Sequence, residues 1–271
     1  MTAIHVLPTM PANGQAVPPI RTVATVGSTN DELMAAPLRL PPTPPQVLWA
    51  ETQTNGRGRR GRQWVSRPGD SATFSVAFER CLDDQSRALA GLSLAIGVAL
   101  AEALVEFDCH LALKWPNDLF SKGRKVGGIL VETRRERQLE RIVVGVGLNL
   151  VAPGEIAAAG DGQPPGADPG GLFEQPVAPA TAAAIVAHCA AAIVTANDLF
   201  MASGFGAFRE RWMSRDAFRG ARVQLHDGAR LLAVGEVSGL GEAGELRLTG
   251  PEGERQFTIG EVSLRLDQNA E

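Results

Sequence analysis

The 271-residue chain contains no tyrosine, and only three cysteines and four histidines. Without tyrosine, no phenol is available as nucleophile or proton donor. Cys81, Cys109 and Cys189 are odd in number and widely spaced, which fits neither a zinc site nor a disulfide framework. His5, His110, His188 and His226 are equally scattered; Cys109 beside His110 is the one close pair, and two ligands do not make a metal site. A reduced, cytoplasmic compartment is expected. No apolar, charge-free run of about eighteen residues is read in the chain, so no membrane span is expected. The N-terminus lacks a cationic start followed by an apolar stretch, so no secretory signal is expected. Positive charge is also in deficit: 26 Lys and Arg against 30 Asp and Glu give a net charge of −4. A protein built to coat nucleic acid is usually basic. The first motif begins at Gly27, leaving too little chain ahead of it for a helix-turn-helix domain, so DNA is not an expected partner.

What is present can fold. At 44% hydrophobic content the chain can bury a core, as one large domain or one large plus one small. Residues 1–20 are rich in proline and small residues and are expected to be a loose lead-in. A β-rich run then ends at Gly27, and Ser28 or Thr29 can cap a helix with Asp31 and Glu32 in its first turn. "VLWAETQ" and "ATFSVAFER" read as strands on either side of an arginine-rich loop. The nearly all-apolar segment Ser86 to Phe107 predicts one long buried helix. "LALKWPNDLF" predicts a strand ending at a proline turn, and "KVGGILVETRRERQLERIVVGVGLNLV" a β-hairpin. Residues 152–180 are dominated by Gly, Pro and Ala and read as a mobile surface loop. Helical patterns follow from Thr181. Beyond residue 217, short strands with glycine-rich turns have the spacing of a small β-barrel.

The arginine loop, "TNGRGRRGRQW", carries the first chemical signal. Gly56, Gly58 and Gly61 leave backbone N–H groups able to converge on an anion. Arg57, Arg59, Arg60 and Arg62 supply planar, permanent cations suited to phosphate or carboxylate oxygens. By itself, such a run is more often a solvated charged turn. Other short motifs stand at element ends. Gly27–Asn30 offers two hydroxyls and an amide. Lys114 ends an apolar strand, where a snorkelling lysine is the plain alternative. Gly127 and Gly128, then Gly145 and Gly147, weaken strands unless something approaches them closely.

In order, "GSTN", "ETQTNGRGRRGRQW", "KWPND", "KVGGILVE", "VGVGLNL" and a terminal "GEVSLR" resemble the biotin–protein ligases, of the biotin–[acetyl-CoA-carboxylase] ligase type. The resemblance runs from about Thr25 to Leu150 and is weaker beyond. It implies an α+β fold: a mixed-sheet catalytic domain of the class II aminoacyl-tRNA synthetase and biotin–lipoate ligase type (residues 21–216), followed by a small SH3-like barrel (217–271). It implies activation of biotin with ATP, Mg2+ accompanying the nucleotide, to biotinyl-5′-AMP. Biotin then passes to a lysine of a biotin carboxyl carrier domain of acetyl-CoA carboxylase or a related carboxylase. Carried over by position, Ser28, Thr29, Asn30, Gln53, Arg57, Gly58, Gly127 and Gly128 are implied to bind biotin. Lys114 and Arg59 are implied to be catalytic, contacting carboxylate and α-phosphate. Arg62, Trp64, Asn149 and Arg265 are implied ATP-side contacts. No protein metal ligand is implied, and Asp118 is read as stabilising its turn. Both monomer and homodimer are open.

This chemistry suits the residue types. The biotin carboxylate is itself the nucleophile and already ionised at neutral pH, so fixed cations rather than a base are needed. Two other readings stand beside it. A lipoate ligase or other acyl-adenylating relative would share the fold but not the Arg-Gly loop. A nucleic-acid binder using that loop would need aromatic stacking and a wider basic face, and only Trp64 lies nearby.

Overall fold

The computed structural model describes residues 5–7, 17–83, 86–153, 169–258 and 263–267. Eight strands form one mixed sheet: β1 (His5–Leu7), β2 (Ile20–Val26), β3 (Gln46–Gln53), β4 (Ser71–Cys81), β5 (Ala112–Lys114), β6 (Asp118–Ser121), β7 (Arg124–Glu136) and β8 (Leu139–Asn149). Their order is β1-β2-β3-β4-β8-β7-β6-β5. Only β2 and β3 pair in parallel; every other neighbouring pair is antiparallel.

The pleat sorts each strand into two faces. On β4, Ala72, Phe74, Val76 and Phe78 join the main core, together with Ile142, Val144, Val146 and Leu148 of β8. The opposite face of the same strands carries Ala77 and Val143, which pack with Leu33 and Leu48 in a smaller cluster. Helix α1 (Thr29–Ala35) covers this second face. Helices α2 (Leu92–Ala103), α3 (Pro179–Ser203) and α4 (Gly206–Met213) lie with the main core.

The sheet and helices differ from the sequence expectations in four places. The helix expected over Ser86–Phe107 starts only after Gly91, whose φ of 85° a right-handed helix cannot pass. It ends in a 3₁₀ turn, Leu104–Phe107, closed by Asp108 at φ 57°. Helix α3 is long and apolar enough to cross a membrane, contrary to the reading that no such stretch exists. Its Ile185, Val186, Cys189, Ile193 and Phe200 are buried in the core, which accounts for that apolar character. The lead-in is not wholly loose: His5–Leu7 pairs with β2, and Ile20 is the fully buried first residue of β2. Finally, of the expected surface loop 152–180, residues 154–168 lie outside the described residues, but the part from Pro169 is anchored. Gly170 N donates to Lys125 O at 2.8 Å, and Leu172 N to Asn149 O at 3.0 Å.

A second sheet follows: β9 (Arg222–Asp227), β10 (Arg230–Leu240), β11 (Leu246–Gly250), β12 (Gly253–Phe257) and β13 (Ser263–Leu266), in the order β12-β11-β10-β9-β13. All its pairings are antiparallel. This is the small C-terminal β unit that the glycine-punctuated strands predicted. Its Val223, Leu225, Val237, Leu246 and Leu264 belong to the same core as the helices. Two further ties cross to the large sheet. Trp115 Nε1 donates to Gly244 O at 3.0 Å. The segment ahead of β9 also runs alongside β5: Leu113 N donates to Arg215 O at 2.7 Å, and Ala217 N to Leu113 O at 2.8 Å.

Candidate active site

The N-terminal end of α1 forms one wall. Ser28 is the extended N-cap, its hydroxyl accepting from Asp31 N at 3.4 Å. Thr29 and Asn30 are buried on the sheet. Thr29 donates from both N and Oγ1 to Gln53 Oε1, at 2.7 and 3.0 Å. Asn30 Nδ2 donates to Glu132 Oε2 at 2.7 Å. Ser75 Oγ lies 2.6 Å from both Thr29 Oγ1 and Asn30 Oδ1. These buried polar groups satisfy one another, as burial requires.

The glycines of β8 have a steric reason. A Cβ on Gly145 would stand 2.3 Å from Asn30 Oδ1, and one on Gly147 would strike the Trp64 indole. Their valine neighbours point the other way, into the core. The Gly-Val alternation is therefore a strand with one face held bare for α1 and the loop.

The arginine loop crosses above this face as a closed flap. Trp64 N donates to Gly56 O at 2.9 Å, and Gly58 N to Arg62 O at 2.7 Å. Arg60 takes a left-handed φ of 62° at its tip. The guanidinium groups go to different places. Arg57 forms a two-pronged pair with Asp31, at 2.7 and 2.5 Å, and lies 3.5 Å from Glu132. The hydrogen bond to Asp31 raises its pKa further. Arg59 Nη1 donates to Asn117 Oδ1 at 3.1 Å. Arg60 reaches the C-terminal unit, 3.5 Å from Asp227.

Opposite the flap stands Lys114, only 7% exposed. Its Nζ lies 3.8 Å from Asp118 Oδ2, and Lys125 Nζ lies 2.5 Å from Asp118 Oδ1. Burial depresses the Lys114 pKa. Asp118 opposes that effect, while Lys125, Arg62 and Arg265 add to it. For Asp118, burial pushes the carboxyl up, but Lys125 and Lys114 override it and hold it below the usual carboxylate range. Asp118 thus stands between the two lysines.

These walls enclose a cavity of about 670 Å³. It is lined by the α1 cap, Gln53, the flap, Lys114, Gly128, Gly147 and Asn149, so it gathers motifs from the whole first half of the chain. It is large enough for a small organic ligand and a nucleotide side by side. One end offers neutral hydrogen-bonding groups and the other a concentration of cations. Among the described residues, no three His, Cys, Asp or Glu side chains gather where a metal ion could be held.

Residues 25–149 match the biotin/lipoate A/B protein ligase family. The chain is 32% identical over 249 residues to the biotin–[acetyl-CoA-carboxylase] ligase of Paracoccus denitrificans, covering 89% of this chain and 98% of that one. The chain belongs to the biotin/lipoate A/B protein ligase family. It is also 32% identical over 219 residues to the bifunctional ligase/repressor BirA of Escherichia coli, spanning 65% of that protein's length. Among solved structures it resembles the biotin protein ligase from Aquifex aeolicus in complex with biotin and ATP. The TM-score is 0.70 at 26% identity, covering 92% of this chain and 99% of that one. The mixed sheet with its small C-terminal β unit is the fold of these ligases.

Within this family fold the cavity collects most of the residues singled out from sequence: Ser28, Thr29, Asn30, Gln53, Arg57, Gly58, Arg59, Arg62, Trp64, Lys114, Gly128 and Asn149. Gly127 and Arg265 are not on its lining. Gly127 faces the opposite side of β7, where a Cβ would stand 2.5 Å from Gly147 O. The pleat separates it from Gly128, so only one of the pair can border the cavity. Arg265 acts at one remove, its charge depressing Lys114. Arg57 lines the wall with its guanidinium paired to Asp31 and 3.5 Å from Glu132. Asn149 Nδ2 donates to Gly170 O at 3.1 Å, tying the cavity rim to the segment after Pro169. Gly260–Val262 of the terminal motif lie outside the described residues.

The sequence reading assigned no site role to Thr73, Ser75, Asn117, Glu132 or Phe218. Thr73 and Ser75 carried a signal: they are the polar beats of an otherwise apolar strand. Glu132 shares a strand face with Gly128 and Leu130. Phe218 carried none.

Proposed function

We propose that the chain is a biotin–protein ligase that makes biotinyl-5′-AMP from biotin and ATP and transfers biotin to a lysine of a biotin carboxyl carrier domain. One observation carries this reading. A single cavity joins a buried amide-and-hydroxyl cluster, suited to a neutral cyclic urea, to a cationic wall suited to a carboxylate beside phosphates. Similarity to ligases of that name supports it.

Ser28, Thr29, Asn30 and Gln53 hold the ring of biotin, with Gly128 allowing close approach of β7. Lys114 and Arg59 face the carboxylate and the α-phosphate. Arg62, Trp64 and Asn149 border the nucleotide, and magnesium enters with ATP as part of that substrate. In the first step a carboxylate oxygen bonds to the α-phosphorus, the bond from that phosphorus to the bridging oxygen breaks, and pyrophosphate leaves. Two anions must approach each other, and fixed cations lower that barrier without reorganising. In the second step the acceptor amine bonds to the carbonyl carbon, the bond from carbon to the AMP oxygen breaks, and the amine gives up a proton. The flap shields the anhydride from water between the steps.

The test is incubation with biotin, MgATP and a carrier domain, followed by mass measurement of the acceptor. A gain of one biotinyl group that requires ATP is the expected result. Lipoate in place of biotin is the control; transfer of lipoate alone would replace the biotin reading with a lipoate ligase.

A further inference from the structure

Lys114 has surroundings that the adenylation chemistry does not by itself call for. Its Nζ lies 5.5 Å from the centre of the Phe120 ring and 5.2 Å from that of Phe218. The two rings meet edge to face, 6.3 Å apart and inclined at 68°. Both phenylalanines are buried. Phe120 comes from β6, close to Lys114 in sequence. Phe218 comes from the far end of the chain, on the segment that precedes β9.

That segment is held at three points. Leu113 N donates to Arg215 O at 2.7 Å, Ala217 N donates to Leu113 O at 2.8 Å, and Phe218 N donates to Asp216 Oδ1 at 2.9 Å. Leu113 immediately precedes Lys114. The backbone pairing therefore fixes the phenylalanine and the lysine to one piece of β5. An ammonium within about 6 Å of a ring face gains electrostatic stabilisation that grows as water is excluded. Lys114 needs such help. It is buried, and Lys125, Arg62 and Arg265 all press it toward the neutral amine, against the pull of Asp118.

We propose that Phe218 is a positioning residue for Lys114: with Phe120 it forms an aromatic slot that keeps the buried ammonium charged and aimed at the cavity, and the Arg215–Phe218 segment sets that slot. This rests on the ligase reading of the cavity. It gives the approach to the C-terminal unit a part in the first chemical step, through Lys114 and without touching substrate.

The test replaces Phe218 with mono-, di- and pentafluorophenylalanine, which keep the ring's shape while draining its face of negative charge. Biotin-dependent ATP–pyrophosphate exchange is followed against pH, and Lys114 is titrated separately by NMR of a ¹³Cε-labelled lysine. The range used is alkaline, above that in which Asp216 titrates. Exchange should fall stepwise with fluorination, by roughly 3- to 30-fold across the series. Its alkaline limb and the Lys114 titration should both move to lower pH. Phe218→Leu, which keeps the apolar volume, should behave like the most fluorinated ring. A flat fluorination series in a wild type that does exchange would overturn the slot and leave the ligase reading intact. A wild type without exchange, but with a Lys114 titration that follows fluorination, would sink the ligase reading and leave the slot.

Discussion

Trp64 rests its indole on the bare backbone of Gly147: a Cβ placed there would stand 2.4 Å from ring atoms Cε2 and Cζ2. The same indole donates from Nε1 to Thr73 Oγ1 at 3.3 Å. Because Trp64 closes the flap against the sheet, Gly147→Ala should displace the ring, and the flap with it, without breaking β8. A displacement of about 1 Å at a reacting centre can cost roughly 10²-fold in rate. Exchange should fall on that scale while the circular dichroism spectrum holds. An alanine variant with wild-type exchange would show that the flap tolerates the move.

Lys114→Met keeps the apolar stem and removes the charge. Asp118 remains paired with Lys125, so the fold should survive. Loss of one fixed charge at a developing negative centre costs roughly 10²–10³-fold. The biotin-dependent exchange rate should drop by that much, with the melting temperature little changed.

Arg59→Gly removes the guanidinium that spans from the flap to Asn117. A hydrogen bond of a charged group contributes about 1.5–3 kcal/mol. Release of biotinyl-AMP, followed with radiolabelled biotin on a filter, should therefore speed up by roughly tenfold or more. Retention equal to wild type would remove Arg59 from the adenylate.

Arg141 and Glu79 form a buried ion pair that grips the far end of α1. Arg141 Nη1 donates to Leu33 O and Ala36 O, both at 2.6 Å, and Nη2 pairs with Glu79. Removing one member of a buried pair costs about 3–5 kcal/mol. Burial pushes Glu79 up, but the Thr43 amide and Arg141 override it, and its pKa is depressed in the fold. Its contribution is present above the unfolded pKa and lost as pH falls through the folded one. Glu79→Gln should thus lower the urea midpoint at neutral pH and flatten the acid side of the stability curve.

Asp216 has the opposite sign. Burial raises it to about 6 from 3.8, against the pull of the Phe218 amide and Arg219. A raised carboxyl favours the folded state at low pH, and that advantage is lost as pH rises through the folded value. Asp216→Asn should be the more stable protein above pH 6 by about 1–3 kcal/mol. The difference should shrink toward pH 4 in denaturant titrations. Equal stabilities throughout would mean that Asp216 is solvated in solution.

Much of the fold was legible because it depends on local rules. The alternation in "ATFSVAFER" gave β4, and Ser28 followed by Asp31 gave the start of α1. What escaped depends on phase and on distance along the chain. Composition could not say which of Gly127 and Gly128 borders the cavity, since that is set by β7 pairing Gly128 with Gly147 and Gly127 with Leu148 of β8. The helix over Ser86–Phe107 was overdrawn because a glycine at positive φ looks like any other glycine in a string of letters. At the site, the arginine loop announced its charge but not its partners. Asp31 captures Arg57 from 26 residues away, and Glu132 holds Asn30 from 102 residues away. Phe218 reached Lys114 only through the pairing of Leu113 with Asp216.

That pairing bears on how the chain can be divided. The change of texture near residue 217 invites a cut there, as if a spare module followed. A cut there would instead strip one side from the chamber around Lys114 and leave Trp115 without its Gly244 carbonyl. The large sheet and the small one share a seam, and the seam runs past the buried amine of Lys114.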